Sequence, residues 1–83
     1  ENATVEVRLG MSGDEADAPA VYVNSEPCPY VRSEAVVPAY TRNPARVYAV
    51  ENDGGLPPFL VVEMIAGEKD VTVDYAEIHV FVR

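Results

Sequence analysis

Along most of this chain, apolar and polar residues alternate one for one, and no window of useful length carries a helical repeat. In Thr4-Val5-Glu6-Val7-Arg8-Leu9, the apolar Val5, Val7 and Leu9 interleave with Thr4, Glu6 and Arg8. Successive side chains of a strand point to opposite faces, so this pattern predicts a half-buried strand. Ala20-Val21-Tyr22-Val23 and Arg46-Val47-Tyr48-Ala49-Val50-Glu51 read the same way. Phe59-Leu60-Val61-Val62-Glu63-Met64-Ile65 is apolar on both phases and predicts a central strand covered on both sides.

The last two alternating runs are out of phase. Val71, Val73 and Tyr75 occupy odd positions, whereas Ile78, Val80 and Val82 occupy even ones. A slip of one residue turns every side chain to the other face. Nothing in Tyr75-Ala76-Glu77 has turn chemistry, so one long strand with a β-bulge near Ala76-Glu77 is expected, or a bent strand crossing between sheets.

Punctuation falls between these runs. "GMSGDEADAP", residues 10–19, reads as an exposed loop. "SEPCP", residues 25–29, reads as an extended, kinked connector, because Pro27 and Pro29 cannot donate to a ladder and push their predecessors into extended backbone. Tyr30-Val31 and Ala35-Val36-Val37 fit strand pieces, while Ser33 also fits the cap of a single helical turn. "AYTRNPA", residues 39–45, is a turn, and "NDGG" and "AGEKD" carry hairpin chemistry. The sum is one all-β domain over residues 1–83. A small antiparallel β-sandwich or a partly open β-barrel of six to seven short strands is expected.

At 83 residues, such a domain buries only roughly 60–65% of the surface its unfolded chain exposes. One cysteine allows no internal disulfide, so burial against a neighbour is an attractive further source of stability. Fourteen acids against six bases give a net charge of −8, which disfavours nucleic acid and anionic membranes as partners. No stretch approaches the ~20 apolar residues of a membrane span. The first residue is Glu1 rather than Met, which suggests a processed or truncated start, and Asn2-Ala3-Thr4 matches a glycosylation acceptor. Both features point toward an extracytoplasmic or particle-surface setting.

Catalytic constellations are sparse. Cys28 and His79 are the one possible Cys–His couple, and the acidic chain offers little to stabilise a thiolate. His79 falls on the polar phase of its strand. One His and one Cys cannot make a structural zinc site without carboxylates. Asp14, Glu15 and Asp17 share a loop, and Glu51 and Asp53 flank another, but neither fits the twelve-residue calcium-loop spacing. No serine lies in a nucleophile elbow, and neither "GMSGD" nor "NDGG" joins a strand to a helix as a phosphate cradle does.

Residues 66–77, "AGEKDVTVDYAE", resemble the late segment of SET-domain methyltransferases, where a Gly-Glu-Glu-Leu-Thr-x-Asp-Tyr run supplies a functional tyrosine. That resemblance implies methyl transfer with Tyr75 in the site. The match requires Asp70 as an insertion, and "RNPARVY", residues 42–48, lacks the family's Asn-His-Ser-Cys core. The expectation is therefore an ordinary hairpin, no enzyme and no cofactor.

The expected role is a non-catalytic, acidic interaction module that docks on a protein partner or on copies of itself. A virion decoration or capsid-stabilising protein fits the size, as does a subunit of an extracellular fibre or surface layer. Its candidate contact residues are Tyr30, Tyr40 and the outward-phased His79 and Phe81, the arginines Arg32, Arg42 and Arg46, and Leu56 in the Pro-rich loop. The alternative is a secreted monomeric inhibitor or ligand-binding domain, using "NDGGLPP" or "SEPCPYV" as a stiff recognition loop.

Overall fold

Alternation in the sequence becomes strand in the computed structural model, which describes residues 2–34 and 43–83. Among these lie β1 (Asn2–Met11), β2 (Ala20–Val23), β3 (Glu26–Cys28), β4 (Tyr30–Glu34), β5 (Ala45–Asp53), β6 (Val62–Ile65) and β7 (Val73–Val82), with a single 3-10 turn at Glu15–Asp17. The strands form two antiparallel sheets, one in the order β4-β5-β1-β7 and one in the order β3-β2-β6. The chain is all-β, as the alternation predicts. Ser33 lies within β4 and caps no helical turn.

β1 is central, hydrogen-bonded to β5 on one side and β7 on the other. Its Val5, Val7, Leu9 and Met11 enter the core with Val21, Val23, Cys28 and Tyr48. Glu6 and Arg8 point to the opposite, solvated face, which is why this strand alternates so cleanly. The β1 register continues through Gly10 and Met11, so the expected loop begins only at Ser12. Tyr48 is the largest side chain buried completely, and its hydroxyl donates to the Pro19 carbonyl at 2.8 Å. The Tyr30 ring meets it edge-on, with centroids 5.5 Å apart.

Asn24 and Ser25 make the tight turn between β2 and β3, with φ of 49° and 68°. Two successive positive φ values define the type I′ geometry that matches strand twist, and Asn adopts it at low cost. "SEPCP" is therefore not only a connector. Glu26–Cys28 pairs with β2, and Pro27, opposite Tyr22, is tolerated because β3 is an edge strand. At Pro29 the chain leaves one sheet for the other, and the Pro29 carbonyl accepts a bond from Ala49 N–H at 3.0 Å.

Three expectations need correction. "NDGG" does bend through positive φ at Gly54 and Gly55, yet it joins β5 of one sheet to β6 of the other instead of making a hairpin. "AGEKD" likewise carries β6 across to β7, with which β6 is not paired. Residues 59–65 do not form a covered central strand: β6 is short, pairs among the described residues with β2 alone, and leaves Phe59, Val61, Met64 and Ile65 exposed. Pro57 and Pro58 precede it, and pairing begins where Asn24 engages Val61. Asn24 N–H donates to the Val61 carbonyl, and its side-chain oxygen accepts from Val61 N–H, both at 2.8 Å.

The phase shift in β7 is real, but it sits earlier than expected. Tyr75 pairs with Gly10 while Val73 pairs with Met11, so Asp74 is the extra residue of a bulge. Val73 consequently faces the core with Met11, whereas Tyr75 joins the solvated face. Ala76-Glu77 is regular.

Candidate interaction surface

The register of β7 decides which face each side chain occupies. Val80 lies opposite Val5, Ile78 opposite Val7 and Val82 opposite Ala3, so all three share the core face of the sheet. Their partners in β1 are buried, yet Ile78 is 48%, Val80 39% and Val82 60% exposed. Pro29 ties the end of β3 to β5, and the exposure of these three side chains shows that the three-stranded sheet leaves them largely uncovered. β7 overhangs. On the facing sheet, Met64 stands opposite Val21 on the inner face and is also exposed. The two strands that border this flank, β6 and β7, thus present apolar side chains of core phase to solvent.

β7 is also the edge of its sheet among the described residues. Arg83 N–H donates to the Asn2 carbonyl at 2.9 Å, which makes residues 83 and 2 a hydrogen-bonded pair. Antiparallel pairs alternate in type, so Ile78, Val80 and Val82 turn their backbone N–H and C=O groups away from β1. Their side chains are exposed, and among the described residues no strand pairs with their outward backbone groups.

On the solvated face of the same strand, Glu77, His79 and Phe81 follow one another. The imidazole Nε2 is 3.0 Å from a Glu77 carboxylate oxygen, and the ring stacks on Phe81 with centroids 6.2 Å apart. Hydrogen bonds from Tyr75 and then His79 hold the Glu77 carboxyl below the usual range. At the strand's end, Arg83 donates to both Glu51 oxygens and to Thr4 Oγ1, and Thr4 donates to Glu51 at 2.8 Å. Further along the face, Arg8 pairs with Glu6 and Glu34 and Arg32 with the same two acids. The Arg32 hydrogen bond is the main reason the Glu34 carboxyl is lowered.

The candidate contact residues therefore separate. His79 and Phe81 lie together on β7. Arg32 belongs to the ion cluster across β1 and β4. Tyr30 packs on Tyr48, and Leu56 is half-buried against the core. Arg46 is buried, donating to Ser33 Oγ at 3.0 Å and to the Gly13 carbonyl at 2.7 Å, so it ties β4 and the loop after β1 to β5. Tyr40 and Arg42, with the Ala35-Val36-Val37 piece, lie outside the described residues. Sequence reasoning missed the uncovered state of Ile78, Val80 and Val82. Their alternation specifies the core face, and only the strand count of the opposite sheet says whether that face is covered.

A second concavity of about 380 Å³ is lined by Pro19, Pro27, Pro29, Tyr22, Tyr30 and Tyr48, with Cys28 among them. Burial pushes the Cys28 thiol up to about 11 and, as the largest influence, the Tyr48 phenol up to about 12. Both are held protonated at neutral pH, the wrong state for a nucleophile or base. Among the described residues no three His, Cys, Asp or Glu side chains cluster to hold a metal ion, and no helix is long and apolar enough to cross a membrane. No protein-family model, curated protein or solved structure matches the chain.

Proposed function

We propose that the protein is a non-catalytic interaction module whose β7 flank receives a β-strand of a neighbouring protein subunit in a larger assembly. The observation that carries this reading is the overhang: Ile78, Val80 and Val82 have core phase, exposed side chains and outward backbone groups that no described strand pairs, all on one strand. An unpaired apolar edge of this length is a template for strand addition. The acidic net charge of −8 keeps the free subunit soluble until it docks. A virion decoration protein, a capsid stabiliser or a fibre or surface-layer subunit meets this description, in an extracytoplasmic or particle-surface setting. A monomeric ligand-binding domain is the second reading, favoured by the Pro- and Tyr-lined cleft around Cys28.

The test is Ile78→Lys in dilute solution. The side chain is half exposed, so urea unfolding should change by no more than about 0.5 kcal/mol, as for an ordinary surface substitution. Binding of an apolar dye to the flank should fall sharply. A loss of about 2 kcal/mol or more would mean that the flank completes the chain's own core, and unchanged dye binding would equally count against a docking surface.

A further inference from the structure

We infer that the neighbour on the β7 edge is a second copy of this chain, paired antiparallel through β7 about a two-fold axis at Ile78. This rests on the docking reading above and names its partner. A two-fold perpendicular to a sheet pairs each strand with itself in reverse, and only registers that keep side chains on their own face are allowed. Four such registers place the axis at the middle of the regular stretch Tyr75–Val82, at Glu77, Ile78, His79 or Val80.

With the axis at Glu77, two carboxylates of like charge face each other. With the axis at His79, Glu77 faces Phe81, and Tyr75 faces Arg83. With the axis at Val80, Glu77 faces Arg83 and Ile78 faces Val82, but His79 faces Phe81, so neither a carboxylate–imidazole nor a Tyr75–Phe81 match forms. The axis at Ile78 matches Tyr75 through Phe81 and leaves Val82, opposite the bulged Asp74, outside the pairing. Glu77 faces His79 of the second copy, so a carboxylate meets an imidazole twice. Tyr75 faces Phe81 of the second copy, an aromatic pair that also occurs twice. On the core face, Ile78 meets its own equivalent and Ala76 meets Val80.

The backbone agrees with the side chains. Ala76, Ile78 and Val80 turn their amides and carbonyls toward the open edge, inferred from the Arg83–Asn2 bond and the alternation of pair types. Self-pairing at Ile78 joins these three to their counterparts through roughly six backbone hydrogen bonds. The two four-stranded sheets become one continuous sheet. The overhanging rows Ile78-Val80 of both copies then lie side by side at its centre, so each shields the other from water.

Disulfide trapping distinguishes the registers. Paired residues on the axis have Cα atoms about 5.5 Å apart, within disulfide reach. Residues two positions off the axis are roughly 13 Å from their own equivalents. Under mild oxidation, Ile78→Cys should give a covalent dimer on a non-reducing gel, and Val80→Cys should not. The unaltered chain controls for the buried Cys28, and light scattering at high micromolar concentration should show a dimer. Cross-linking through Val80→Cys in preference to Ile78→Cys would overturn the register while leaving self-association. A strict monomer that neither variant cross-links would overturn the second copy as partner. The flank's role as a docking surface would then still be decided separately, by the dilute stability and dye binding of Ile78→Lys.

Discussion

Cys28 ends β3 at 3% exposure, opposite Val21 across the ladder and close enough to Tyr48 to share its cleft. The flanking prolines gave the residue its place: Pro27 is accommodated on an edge strand and Pro29 turns the chain into the other sheet. Its role as a small packed side chain was legible from sequence, because nothing cationic adjoins it there. Arg46 was not legible in that way. A single arginine in an alternating run looks like a surface charge, and its burial depends on Ser33 and Gly13, which only the fold brings near. The Cys28 environment has a measurable consequence. A thiol-specific reagent should leave the native protein unmodified at pH 8 and react fully once the chain is unfolded. The sign of the pH effect follows from the same burial. Cys28 titrates near 9.0 when unperturbed and at about 11 in the fold. Its contribution to stability is therefore complete below pH 9 and is lost as pH rises through 11, because the unfolded chain ionises first. Tyr48, raised to about 12, acts in the same direction. A urea midpoint that stayed constant from pH 8 to pH 11 would contradict this account.

At the level of elements, the alternation located β1, β2, β5 and β7, and the turn residues located where the chain reverses. Which strand each reversal leads to was not legible. "NDGG" and "AGEKD" have hairpin chemistry because positive φ and small polar residues serve any sharp reversal. The pairing partner, in contrast, is chosen by distant apolar surface. β6 shows the same limit from the other side: an apolar run predicts burial only when another element arrives to cover it. The phase shift in β7 was legible, and its position was not, because Val73 and Tyr75 look alike in an apolar count. The pairing of Val73 with Met11 and Tyr75 with Gly10 makes Asp74 the surplus residue. Deleting Asp74 should therefore leave every remaining side chain on its present face. The expected loss is at least roughly 1 kcal/mol, the value of one hydrogen bond, because the 3.1 Å bond from Asn43 to Asp74 goes with it. Deleting Glu6 from the centre of β1 should unfold the domain, since either Val5 or Val7 would then face solvent. Circular dichroism and urea unfolding of the two deletions would separate a bulge from an ordinary strand position: equal damage from both would refute the assignment of Asp74.

For the whole molecule, a wide sheet and a narrow one leave an apolar border that a chain of 83 residues cannot cover with its own described strands. Net charge works against covering it with another copy. Each subunit carries −8 with the imidazole counted neutral, so two approaching copies repel through the solvent around them. The contacts assigned to the β7–β7 interface are of a different kind: backbone hydrogen bonds, apolar rows, an aromatic pair and a carboxylate beside an imidazole. Salt weakens long-range repulsion between exposed charges, whose reach shrinks from about 30 Å at 0.01 M to about 3 Å at 1 M. It leaves close, largely uncharged contacts nearly unchanged. Dimerisation should therefore tighten as sodium chloride is raised from about 0.01 M to about 0.5 M, and the dissociation constant from sedimentation equilibrium should fall monotonically. An interface held mainly by ion pairs, such as one through the Arg8–Glu34–Arg32 cluster on the solvated face, would respond in the opposite sense. The direction of the salt effect thus reports which face of the four-stranded sheet meets its neighbour: its apolar edge at β7 or its charged surface.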